Sequence, residues 1–198
     1  MKYNILFGVD FTLMYVDRLL YPVITLGPGR RVAIWVSGCR RHCKKCANPE
    51  LWEKKEYQKI TSQKLVEAIS SVIGYNIDGI TITGGEPFDQ ATELCEVIDG
   101  LPETIDVLIF TGYKYEELFE REDVRELLSR VDVLIDGEYV DELNDNQSAL
   151  RGSVNQHIWY LNKDAQLKYE QYLAKGRKIQ NFVYDYETIS VGIHNRSI

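Results

Sequence analysis

Arg31-Val32-Ala33-Ile34-Trp35-Val36-Ser37-Gly38-Cys39-Arg40-Arg41-His42-Cys43-Lys44-Lys45-Cys46 runs a short apolar stretch straight into three closely spaced cysteines. The stretch is rich in branched and aromatic residues and bounded by turn formers, so Arg31–Ser37 reads as a buried strand. Three runs of the same kind follow at Gly79–Thr83, Ile105–Thr111 and Val131–Asp136. Between them, apolar residues recur at helical spacing in Ser62–Ile73, Gln90–Ile98 and Tyr115–Ser129, the last with Leu118, Val124, Leu127 and Leu128 as its stripe. Such alternation predicts β-α units with parallel strands, whose loops gather at one carboxyl edge, where ligands of these folds bind. Further on, Asn155–Leu161 reads as a strand and Lys163–Ala174 as a helix. Ile179–Tyr184 and Thr188–Ile193 then flank Asp185–Glu187 as a terminal hairpin.

The chain has 198 residues, enough for one domain with its own core, here 1–198 with an N-terminal extension over 1–20 and a hairpin extension over 176–198. Hydrophobic residues at 44% and charged residues at 27% place it among globular proteins rather than disordered or collagen-like ones. A net charge of -7 opposes a grip on phosphate backbones, so no nucleic acid is expected. The basic run Arg40–Lys45 reads either as a solvated loop or as a contact for an anionic partner or electron donor. Asp10 and Asp17 interrupt the apolar N-terminal segment, which argues against a membrane helix and a signal peptide. The expected compartment is a reducing cytoplasm, where clustered cysteines read as metal ligands or redox groups rather than disulfides.

Three of the four cysteines fall within the eight residues Cys39–Cys46. A loop of that spacing can wrap three thiolates around one metal centre, and the number three carries the argument. Structural zinc takes a closed shell of four ligands, and a ferredoxin cluster takes four thiolates. Cys95 lies within a helical segment and reads as a small buried hydrophobe. Three thiolates on a 4Fe-4S cubane leave one iron open to a substrate or cofactor; the alternative is zinc held by the three cysteines and His42. Gly84-Gly85-Glu86-Pro87 follows the second strand. Its glycines permit positive φ and close approach of a ligand to the main chain, and its carbonyls and acid suit an ammonium group, which donates and never accepts.

These two motifs, in this order on alternating elements, resemble the radical S-adenosylmethionine superfamily, with its CxxxCxxC loop after the first strand of a partial (β/α) barrel. The resemblance implies that Cys39, Cys43 and Cys46 hold a 4Fe-4S cluster whose open iron binds S-adenosylmethionine. It implies further that Gly84, Gly85 and Glu86 hold the cofactor's amino group. Lys45 stands where many members carry an aromatic residue near the adenine, and Lys45 and Ala47 are counted with the cofactor-binding positions.

Leu26–Arg30, Asn48, Trp52, Thr111-Gly112-Tyr113, Asp136-Gly137-Glu138 and Arg151–Gln156 extend the likeness, over about Tyr21–Leu161, to the anaerobic ribonucleoside-triphosphate reductase activating proteins and their close relatives. This adds Thr111 and Asp136 as cofactor-side positions, Asp136 having a turn-capping role as its alternative. The implied fold is a partial barrel of mostly parallel strands with a C-terminal β-hairpin. The implied activity is reductive cleavage of S-adenosylmethionine to a 5′-deoxyadenosyl radical that makes a glycyl radical on a partner, the large subunit of an anaerobic ribonucleotide reductase. A flavodoxin or ferredoxin is the implied electron donor. A radical enzyme acting on a small molecule or peptide, a single-cluster electron carrier and a zinc module are the alternatives.

Overall fold

A computed structural model describes residues 12–74 and 77–195; the first eleven residues of the expected N-terminal extension and the last three of the hairpin extension lie outside the described residues. In chain order the elements are β1 (Leu13–Val23), β2 (Arg31–Val36), β3 (Lys59–Thr61), α1 (Ser62–Ile73), β4 (Gly79–Gly84), α2 (Ala91–Asp99) and β5 (Asp106–Phe110). They continue with α3 (Tyr115–Glu120), α4 (Arg125–Ser129), β6 (Val133–Asp136), β7 (His157–Tyr160), α5 (Gln166–Leu173), β8 (Ile179–Tyr184) and β9 (Glu187–Gly192). Seven strands form one sheet in the order β3-β1-β2-β4-β5-β6-β7, and β8 pairs with β9 in a separate hairpin.

The fold is mixed α/β, with β2, β4, β5 and β6 mutually parallel at the centre and β1, β3 and β7 antiparallel at the flanks. Every residue of β2 and β6 is buried, as expected for parallel strands covered on both faces. The two-residue period of a strand sends Val32, Ile34, Ile80, Ile82, Val107 and Ile109 to one face, against Leu65 and Ile69 of α1 and Leu94 and Val97 of α2. Cys95 is buried in that layer, as its place in a helical segment predicts. The opposite face is covered twice. Ala33 and Trp35 meet Val191 of the hairpin, and Leu108, Val133 and Ile135 meet Tyr169 and Tyr172 of α5.

Two differences from the sequence reading have local causes. The helix expected over Tyr115–Ser129 breaks into α3 and α4, because Arg121 takes an extended backbone and its guanidinium grips Asp123 at 2.7 Å. The stripe survives the break, since Leu118, Val124 and Leu127 are still fully buried. From Leu13 onward, the segment read as an N-terminal extension is a strand of the main sheet. Its periodicity is hidden by a bulge, where the register slips between Val16 and Arg18, and by Asp17 and Arg18, which pair at 2.7 Å in mid-strand.

At the amino ends of the parallel strands the buried Arg31 donates to Thr81 Oγ1 at 2.6 Å and pairs with Asp106 at 2.5 Å, pinning β2, β4 and β5 together. Their carboxyl ends therefore emerge side by side. Ser37-Gly38-Cys39 leaves β2, Gly85-Glu86 leaves β4, Thr111-Gly112 leaves β5 and Gly137 leaves β6.

Candidate functional site

The cysteine loop and the glycine loop are stitched together through the main chain. Gly85 N donates to Val36 O at 2.7 Å and Glu86 N donates to Gly38 O at 2.8 Å. Gly84 sits at φ +105, and a Cβ there would lie 2.5 Å from the Val36 carbonyl oxygen. A Cβ on Gly85 would collide with the Gly38 carbonyl oxygen. Only glycine lets the two loops approach this closely. Gly85→Ala is expected to cost about 2 kcal/mol, as overpacking against fixed backbone does, and to part the loops. Thermal melts of the variant beside the unsubstituted protein check the size, and an unchanged melting temperature would contradict the close approach.

The cysteine loop is anchored on its other side, where Gly38 N donates to Leu51 O at 2.8 Å and Cys39 N to Trp52 O at 2.9 Å. Each sulfur faces main-chain donors. The amides of Arg41 and His42 point at Cys39, that of Tyr139 at Cys43, and Asn48 N reaches Cys46 Sγ at 3.4 Å. Burial nevertheless pushes the Cys39 thiol up, and the Cys43 thiol up to about 11. With no metal bound, both sulfurs are therefore protonated at neutral pH, and a metal must displace those protons. Among the described residues, no three His, Cys, Asp or Glu side chains are grouped to hold a single metal ion. The His42 ring lies against Trp52 at a tilt of 31°, centroids 4.7 Å apart.

Glu86 is only 1% exposed. Its Oε1 accepts from Thr111 Oγ1 at 2.7 Å and Phe88 N at 3.1 Å, and its Oε2 accepts from Gly112 N at 2.8 Å. It thus ties the end of β4 to the end of β5. Burial lifts its carboxyl to about 7 in spite of these donors. A carboxylate oxygen has two acceptor positions, so Oε2 keeps one for a further donor.

The three cysteines, Lys45, Ala47, Gly84, Gly85, Glu86 and Thr111 all line one cavity of ≈ 700 Å³. Lys45, at φ +60, turns its ammonium onto Asp141 Oδ2 at 2.7 Å, and Tyr139 OH donates to the other oxygen of Asp141 at 2.9 Å. That pairing fastens the cysteine loop to the turn after β6. Asp136, at the end of β6, is not among the residues that line this cavity. Its oxygens accept from Tyr115 N at 2.7 Å and His157 N at 3.1 Å, so it caps the start of α3 and the start of β7.

Sequence reasoning missed several lining residues. Arg41 and Asp141 were hidden because charge alone does not say which way a loop residue points. Ser190–Asn195, from the hairpin, also line the cavity. Only tertiary packing brings them there, with Thr25 Oγ1 donating to Val191 O at 3.0 Å. A second hollow of ≈ 620 Å³, beside Arg151 and His157, contains none of the expected site residues. No helix of the described residues is long and apolar enough to cross a membrane.

Comparison with known proteins matches residues 25–159 to a family described as a 4Fe-4S single cluster domain. The chain is 32% identical over 151 residues to the anaerobic ribonucleoside-triphosphate reductase-activating protein of Enterobacteria phage T4, covering 74% of this chain and 94% of that one. It is 30% identical over 149 residues to the protein of that name from Escherichia coli K12 (71% and 96% covered). To that of Vibrio cholerae it is 31% identical over 146 residues (70% and 93%). Among solved structures, QueE from Escherichia coli superposes with a TM-score of 0.45 at 18% identity, covering 61% of this chain and 68% of that one.

Proposed function

This chain belongs to the 4Fe-4S single cluster domain family and to the anaerobic ribonucleoside-triphosphate reductase-activating proteins, and from that premise we propose that it is a radical S-adenosylmethionine oxidoreductase that makes a glycyl radical on an anaerobic ribonucleotide reductase. One observation carries the reading: three sulfurs, each met by main-chain N–H groups, share a cavity with a glycine-lined strand end and a buried acid.

The residues present suit the cluster. Amide donors aimed at thiolates are a recognised control on cluster potential, and three thiolates leave one iron for a small ligand. The zinc alternative needs His42 as the fourth ligand beside the three cysteines, but the His42 ring lies against Trp52, centroids 4.7 Å apart. Cys39, Cys43 and Cys46 would hold the cluster, which when bound would supply the one electron needed for reductive cleavage of S-adenosylmethionine to methionine and a 5′-deoxyadenosyl radical. The residues around it bind and orient. Oε2 of Glu86 and the carbonyls of Gly84 and Gly85 accept from the cofactor's ammonium. Thr111 holds Glu86 in place through its hydroxyl, while Lys45 and Ala47 line the side assigned to the adenine. The parallel strands and their helices are read as the partial barrel of this superfamily, with its cavity at the carboxyl edge. A glycine-bearing loop of the reductase reaches that cavity, a flavodoxin or ferredoxin supplies the electron, and the compartment is the cytoplasm.

The test mixes anaerobically reconstituted protein, reductant and S-adenosylmethionine with an anaerobic ribonucleotide reductase large subunit and records the paramagnetic resonance spectrum. A glycyl radical signal on the reductase is expected. Cofactor cleavage with no protein radical would overturn the choice of partner and favour a small-molecule substrate.

A further inference from the structure

Among the described residues of the cavity wall is a cation, Arg41, whose hydrogen-bonding capacity the fold leaves partly unspent. Arg41, between the first two cysteines, has a side chain 24% exposed, and its guanidinium lies 5.1 Å from the Tyr113 ring centroid. Its nearest acids are Glu117 at 3.9 Å and Glu138 at 3.7 Å, both too far for hydrogen bonds. Its Nε is buried with no hydrogen-bond partner. An orphaned charged donor is costly, so a group that accepts from it is favoured at this place.

The neighbours of Arg41 say which group. Its stem lies across Gly112: a Cβ built there would be 2.5 Å from Arg41 Cδ, 3.0 Å from Nε and 3.5 Å from Glu86 Oε2. Arg41 and Glu86 therefore flank the same spot in the same cavity, one offering donors and the other a free acceptor position. A fork of N–H donors beside a carboxylate acceptor matches an ammonium and a carboxylate borne on one carbon. We propose that Arg41 binds the carboxylate of an α-amino-acid group whose ammonium sits on Glu86. On the functional reading above, on which this rests, that group is the methionine end of S-adenosylmethionine. Lysine replaces the fork only in part, because its ammonium is a single point charge.

Equilibrium binding to the cluster-loaded protein tests this, with S-adenosylmethionine and its decarboxylated analogue as the two probes. Arg41→Gln is expected to weaken S-adenosylmethionine about 10- to 100-fold and leave the decarboxylated analogue unchanged. Arg41→Lys should recover part of the loss. Arg40→Gln, on a side chain 89% exposed, should change neither. Iron content is measured on every variant and affinities are compared per cluster. Equal losses for both probes, or none for either, would overturn the proposal and mark Arg41 as a packing residue of the loop. If the unsubstituted protein binds neither probe, the functional reading fails first and takes this inference with it.

Discussion

Serine at position 39, 43 or 46 is expected to lower cofactor cleavage by more than about a hundredfold and to strip the protein of iron, whereas Cys95→Ser keeps both. The contrast follows from placement. Cys39, Cys43 and Cys46 share the cavity with the glycine loop, while Cys95 is packed in the helical layer with Leu94 and Val97. A serine hydroxyl is a poor soft-metal donor, and the remaining two thiolates are too few to retain a cubane. Iron and sulfide analysis of the four variants checks this. Full iron content in Cys43→Ser, or its loss in Cys95→Ser, would move a ligand and with it the open iron.

Glu86 should give the protein an inverted pH dependence. Its carboxyl sits at about 7 against an ordinary 4.5, with burial the cause. Between those two values the folded state holds a proton that the unfolded chain has released, so stability falls as pH rises through the window. The fall amounts to at most roughly 3 kcal/mol by pH 8, since one extra bound proton changes stability by about 1.4 kcal/mol for each pH unit crossed. Binding runs the other way. In the role proposed for Glu86 the cofactor's ammonium needs it ionised, so affinity should rise about tenfold per pH unit up to about 7 and level off above it. Glu86→Gln should flatten both profiles. Denaturant melts of the cluster-free protein between pH 5 and 8, with cofactor titrations of the loaded one, supply the curves. A stability that climbs across that interval would contradict the burial of an acid at this position.

The carboxyl-edge geometry was legible because parallel strands leave no choice. Once Arg31–Ser37, Gly79–Thr83, Ile105–Thr111 and Val131–Asp136 are read as strands joined through helices, the residues after each must meet at one edge, and Cys39, Glu86 and Thr111 do. The first strand escaped notice because its centre is polar: Gln58 Nε2 donates to Asp17 at 2.7 Å, and Arg18 reaches Glu50 at 3.0 Å. Asp136 was placed on the right strand end, yet the direction of its carboxylate depends on Tyr115 and His157, which no local pattern encodes. Lys45 likewise owes its orientation to Asp141, 96 residues away. The share of the hairpin in the cavity wall was out of reach for the same reason, and it lies beyond residues 25–159, where the family match ends.

The proposed cluster and its vacant iron are tested most directly by the chemistry they would permit. Anaerobically reconstituted protein, reduced and given S-adenosylmethionine, should release 5′-deoxyadenosine and methionine in equal amounts, measured by chromatography. A colourless preparation that contains zinc and leaves the cofactor whole would contradict the account.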